Sequence, residues 1–219
     1  MKVLDLTHCI YEGMPVYPGT EGPSLKIANT YNEDGFQETL MTMYSHTGTH
    51  MDPPAHIYPN GRTLDAFSVE QFVGSALVID CHHLISGERI TMKEIEPVRK
   101  LADQAEFLLF YTGWDQYWGD LRYFGEYPTI DDAVAEYLIN HHKKGVGLDV
   151  IGLDPISDEN LTLHKKVFLN HDMVIIENLT GLGQIGTSLF TLCALPLKYL
   201  HADGSSIRAI ALLDDKLNA

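Results

Sequence analysis

Cysteine is scarce in this chain of 219 residues: Cys9, Cys81 and Cys193 are an odd, widely spaced set without a CxxC pair. A disulfide framework has no support, and reduced thiols in apolar strands are expected. Positive charge is also in short supply. Fifteen Lys and Arg face thirty Asp and Glu, a net charge of −15, which repels phosphate backbones and anionic lipid. No nucleic-acid or membrane partner is therefore expected. No apolar run approaches the ~20 residues that span a bilayer. The opening MKVLDLTHCI lacks the apolar stretch of a signal peptide, so a cytoplasmic protein is expected. Neither GxGxxG nor GxxxxGK[ST] occurs, which leaves nucleotide binding without a motif.

What is present is a globular composition, 45% hydrophobic and 21% charged, in a chain long enough to bury a core unaided. No linker, repeat or low-complexity stretch divides it, so one domain over residues 1–219 is expected. Strand-like runs rich in β-branched and aliphatic residues fall at 3–6, 24–31, 38–44, 76–81, 107–111, 150–153, 173–176, 189–195 and 207–213. The run at 38–44 reads as a strand with one face only partly wet. A helix is expected over AVAEYLIN, with capping-box spacing from Thr129 to Asp132, basic residues at its end and Gly145 beyond. Further helices are expected within 91–101, restarted at Pro97, and within 68–72 and 161–169. Strands outnumber helices, and the class is α/β with a β-rich core.

Eleven histidines are many for this length, and three of them, with one aspartate, crowd into residues 46–56, HTGTHMDPPAH. Gly48 and the Pro53–Pro54 pair oppose a continuous helix, so the run reads as an irregular loop that folds back on one centre. Imidazole and carboxylate donors suit zinc, manganese, iron or nickel. His46, His50 and Asp52 are candidate ligands. His56, beyond two prolines, stands close to that centre as a candidate proton carrier. Trp114, Tyr117 and Trp118 read as core or subunit contact. Asp149, Asp154 and Asp158 lack EF-hand spacing and read as a solvated turn or as caps of the next helix. His8, at a strand end, is an open candidate for pocket lining.

The run HTGTHMDPPAH resembles the HxGTHxDxPxH signature of the metal-dependent cyclase family, the group of kynurenine formamidase-like and isatin hydrolase-like hydrolases. The resemblance extends to MPVYPG at 14–19, TGW at 112–114, VIIENL at 174–179, LPLK at 195–198 and the DGS and RAIA segments that follow. It implies a swivelling β/β/α-type single domain and a homo-oligomer, dimer or tetramer. It implies one or two divalent ions per subunit, zinc or manganese: one held by His46, His50 and Asp52, the second by Asp52, Glu177 and a further histidine. His164 is the best match for that histidine and His171 competes. His56 is implied as general acid/base and Tyr17 as a substrate-side residue. The implied activity is hydrolysis of a C–N bond in a small amide, formamide or lactam. A cyclase, dehydratase or lactonase on the same metals is the alternative, and a non-catalytic metal- or metabolite-binding protein the rival from another class.

Overall fold

The computed structural model describes residues 1–213; the last six residues of the 1–219 domain expected from sequence lie outside the described residues. Twelve strands alternate with short helices. The strands are β1 (Lys2–Asp5), β2 (Ser24–Asn29), β3 (Glu38–Thr42), β4 (His50–Asp52), β5 (Val73–Asp80), β6 (Arg89–Ile90), β7 (Phe107–Tyr111), β8 (Thr129–Ile130), β9 (Gly145–Leu148), β10 (Val174–Glu177), β11 (Phe190–Pro196) and β12 (Ser205–Leu213). The helices are α1 (Tyr31–Asp34), α2 (Met92–Ile95), α3 (Arg99–Gln104), α4 (Asp132–Asn140) and α5 (Thr162–Val167).

Eight strands form the main sheet in the order β1-β12-β11-β5-β7-β9-β10-β4, and β4 also pairs with β12. Seven of them thereby close a barrel, from which β1 continues along the β12 edge. β5, β7, β9 and β10 run parallel to one another, and the pairings of β4, β11 and β12 are all antiparallel. The fold is the strand-rich α/β class expected from sequence.

Side-chain alternation sorts the apolar residues into two cores. Ala76, Val78, Phe107, Leu109, Val174 and Ile176 join Met51 and Leu192 in one cluster. Leu77, Ile79, Leu108, Phe110, Val146 and Ile175 point the other way, onto Ile95, Ala102, Val134, Leu138 and Val167 of the helical layer. Both faces of β7 are thus covered, which accounts for its unbroken apolar run FLLFY.

Three expectations shift. The strand placed at 150–153 is instead β9, and 149–153 is a buried bend. Gly145 and Gly147 conceal the strand because glycine is a poor strand former. They are required there by close approach: a Cβ on Gly147 would lie 2.6 Å from Leu109 Cδ2, and one on Gly145 2.9 Å from the Phe107 ring. Helix α4 is capped by Asp131, whose side chain accepts from Val134 N, while Thr129 lies in β8. The hairpin β2–β3 pairs with nothing else in the sheet system, and all five residues of β3 are exposed, not half-buried.

The N-terminal segment crosses this frame through a ring stack. His8 lies 3.9 Å from the Trp118 ring at an interplanar angle of 6°, and its Nε2 is buried without a hydrogen bond. Burial lowers its pKa to about 4, against the opposing pull of Asp115. A histidine depressed in the fold contributes stability above its unfolded value near 6.5 that is lost as pH falls toward 4. Wild type is therefore expected to lose denaturant resistance between pH 7 and 4.5 more steeply than His8→Phe, which retains an aromatic ring against Trp118 but cannot titrate. Urea midpoints at the two pH values check this, and parallel losses would count against it.

Candidate metal centre

The motif is not wholly a loop. His50–Asp52 is a three-residue strand buried on both edges, with Ile175↔Asp52 and Glu177↔His50 pairing toward β10 and Ser206↔His50 toward β12. Hydrogen bonding on two sides, not local propensity, makes it a strand. Period-two alternation then turns Met51 into a fully buried apolar cluster and leaves His50 and Asp52 together on the other face. The register sets Glu177 directly beside His50. Helix α5 adds His164 from more than a hundred residues downstream.

The resulting cluster is tight. His50 Nε2 lies 3.4 Å from both Asp52 Oδ1 and Glu177 Oε2. His164 Nε2 lies 3.2 Å from Glu177 Oε1 and 3.5 Å from Asp52 Oδ2. His46 Nδ1 is 2.6 Å from Asp52 Oδ1, and its Nε2 is buried without a hydrogen bond. His56, in the 3-10 turn Pro54–His56, packs 4.0 Å from the His46 ring and 5.9 Å from the His164 ring. These side chains sit in a cavity of about 580 Å³ whose walls include Pro15, Val16, Tyr17, Tyr44, Ile151 and Leu161.

All seven residues singled out for chemistry therefore meet: His46, His50, Asp52, His56, His164 and Glu177 within the cavity, and Tyr17 on its wall. His171 does not line the cavity; it is exposed on the turn before β10, and the structure brings His164 to Glu177 in its place.

The remaining nitrogens explain what the cluster calls for. His50 Nδ1 is 2.8 Å from the Gly48 carbonyl, and His164 Nδ1 is 2.6 Å from Asp154 Oδ2. Each Nδ1 faces an acceptor, so each carries the hydrogen in the neutral ring, and each Nε2 presents a lone pair. Two lone pairs then face two carboxylates in a buried cluster. Acceptors converging on acceptors repel unless positive charge lies among them, and the donor set fits a divalent cation. Without a cation, protons take that place. Burial opposes charge on His50, but Asp52 and Glu177 raise its pKa to about 9. Burial is likewise outweighed at His164, which Asp154, Asp52 and Glu177 push well up. At Glu177, burial and Asp52 would raise the pKa, yet the two imidazoles hold it to about 2. At His56 burial prevails over Asp52 and depresses the pKa, and no hydrogen bond engages its ring.

Two parts of this support escape the sequence. Asp154 belongs to the acidic turn read as solvated or capping. It does accept from Leu163 N and His164 N at the start of α5, but it is buried and also holds the His164 ring. Asn178 follows Glu177 and donates to the same Gly48 carbonyl. A histidine cluster needs an acceptor behind each ring, and an Asp ten residues before His164 is the signal that could have found Asp154. Asp154→Asn is expected to weaken zinc or manganese binding by about 10- to 100-fold while the fold is retained. Chelator-competition titration measures it; wild-type affinity would show that Asp154 only caps α5.

Known proteins share this sequence pattern and fold. The Cyclase family model matches residues 4–155. A kynurenine formamidase from Bacillus cereus is 31% identical over 209 residues, covering 94% of this chain and 95% of its own. A solved structure described as a potential metal-dependent hydrolase with cyclase activity is 30% identical, with a TM-score of 0.77 and coverage of 96% of both chains. Isatin hydrolase A from Ralstonia solanacearum shares the fold at a TM-score of 0.85 and 22% identity, covering 97% of this chain and 92% of its own. On the family match, the full-length relative and the shared architecture, the chain belongs to the cyclase family of hydrolytic enzymes.

Proposed function

We propose that this enzyme hydrolyses the C–N bond of a small amide, formamide or lactam, with arylformamidase-like chemistry. The observation that carries the reading is the convergence of two imidazole lone pairs and two carboxylates beside a histidine that no hydrogen bond engages. His46, His50 and Asp52 would hold one divalent ion, and Asp52, His164 and Glu177 a second, so that each subunit carries one or two ions, zinc or manganese. A bound ion of this kind supplies Lewis acidity to water and to the scissile carbonyl.

The chain's own residues supply the rest. His56, neutral at working pH because burial depresses it, accepts the proton from the attacking water at a ring nitrogen. It then delivers that proton to the nitrogen as the C–N bond breaks, so that the carbonyl carbon ends as a carboxylic acid (formic acid, for a formamide) and the nitrogen as an amine, joined in one opened chain for a lactam. Tyr17, Tyr44, Val16 and Ile151 present apolar and aromatic surface to a flat substrate. A small molecule fits a cavity of about 580 Å³.

Residues 1–219 form the catalytic domain in this reading, and the enzyme works in the cytoplasm as a homo-oligomer. Among the described residues no helix is long and apolar enough to cross a membrane. Ile27, Phe36, Leu40, Met41 and Tyr44 are exposed on or beside the β2–β3 hairpin, apolar surface of the kind a second subunit covers.

The test is an assay with added zinc or manganese on N-formylkynurenine, isatin and simple lactones. Turnover of the first or second supports the reading; turnover of lactones alone would replace it, and no turnover with metal bound would favour a binding role. His56→Asn is expected to retain metal and lose about 10²- to 10⁴-fold in rate, with a larger effect on kcat than on KM. Loss of metal from that variant would make His56 a ligand.

A further inference from the structure

We infer that Tyr123 and Asn178 are positioning residues that hold the His50 imidazole in the orientation the metal site requires, through the carbonyl of Gly48. The inference rests on the metal-site reading above and adds a support that neither the motif nor the ligand set contains.

The geometry is a chain of hydrogen bonds with one direction. The Gly48 carbonyl accepts from His50 Nδ1 at 2.8 Å and from Asn178 Nδ2 at 2.9 Å. A carbonyl can only accept. Asn178 must therefore turn its NH₂ to Gly48, which leaves its Oδ1 as the acceptor for the Tyr123 hydroxyl at 2.7 Å. The single hydroxyl hydrogen of Tyr123 is thereby committed, the amide cannot flip, and the carbonyl that orients His50 is held from a second side. Tyr123, Asn178 and His50 are 0%, 4% and 4% exposed, so each link lies almost wholly out of bulk solvent.

Both ends of the chain are anchored. Asn178 adopts a left-handed backbone, φ +56°, that bulky residues avoid and asparagine tolerates. Its backbone carbonyl accepts from Thr49 Oγ1, and Thr49 Oγ1 accepts in turn from His8 N. The Tyr123 ring packs edge-on against Trp118, centroids 5.1 Å apart, and Trp118 stacks on His8. Tyr123 thus has a role beyond core filling: it delivers a buried hydroxyl to the far side of the metal loop.

The experiment compares wild type, Tyr123→Phe and Asn178→Asp as purified full-length protein stripped of metal. Tyr123→Phe removes only the hydroxyl. Asn178→Asp, when ionised, puts a carboxylate oxygen against the Gly48 carbonyl and cannot donate. Three quantities are read: the metal-free melting temperature, zinc and manganese affinity by chelator competition, and exchange of the His50 Nδ1 proton by NMR. Tyr123→Phe is expected to melt near wild type, bind metal about tenfold more weakly and exchange that proton faster; Asn178→Asp is expected to lose more of both. Folded variants with wild-type affinity and wild-type proton exchange would overturn the inference. If Asn178→Asp fails to fold, Tyr123→Phe decides alone. If wild type binds no metal, the metal reading fails, and the exchange of the His50 proton still decides whether Tyr123 holds the ring.

Discussion

The rest of the site depends on one arrangement: three residues, His50–Asp52, hydrogen-bonded between β10 and β12. These pairings close the barrel, and the side-chain alternation they impose separates Met51 from its neighbours. A slip of one residue would send His50 and Asp52 into the apolar core and Met51 into the cavity. The same two ladders set Glu177 opposite His50 and bring the 46–56 run against the end of β12. Barrel closure and ligand geometry are therefore one event, with the hydrophobic term of Met51 and its neighbours enforcing a register that places charge.

Charge is the second constraint. Two buried carboxylates so close to each other are unfavourable in a poorly solvated site, and three imidazoles surround them. Among the described residues, the cavity lining contains no lysine or arginine to relieve this. Positive charge must come from protons on the histidines or from an ion. The network behind the rings, Asp154 on His164 and the Gly48 carbonyl on His50, turns each Nε2 lone pair inward and so favours the ion. His56 lies beside this cluster, its ring 4.0 Å from that of His46 and 5.9 Å from that of His164.

How much of this can be read from sequence varies with the physical origin of each feature. The barrel strands at 107–111 and 207–213 are legible because their apolar content exceeds any helical alternative. β9 is not, since Gly145 and Gly147 are chosen by contact with Phe107 and Leu109, which lie almost forty residues away. The ligand-bearing run at 46–56 is legible by density of donors, yet its strand at 50–52 is hidden because pairing partners on β10 and β12 create it. His164 over His171 is a tertiary choice: α5 and its contact with Asp154 make it, and sequence spacing alone left both open. Asp154, Asn178 and Tyr123 support the site through hydrogen bonds spanning 10, 130 and 55 residues, respectively, distances no local pattern reports.

In the proposed reading, the lone pairs of His50 and His164 and the carboxylates of Asp52 and Glu177 converge, with His46, on one or two divalent cations. Anomalous diffraction from crystals grown with zinc or manganese tests it most directly. One or two anomalous peaks are expected among these four side chains and His46, with nitrogen and oxygen atoms at about 2.0–2.2 Å for zinc. A protein that takes up metal elsewhere, with the four groups bridged only by protons or water, would contradict it.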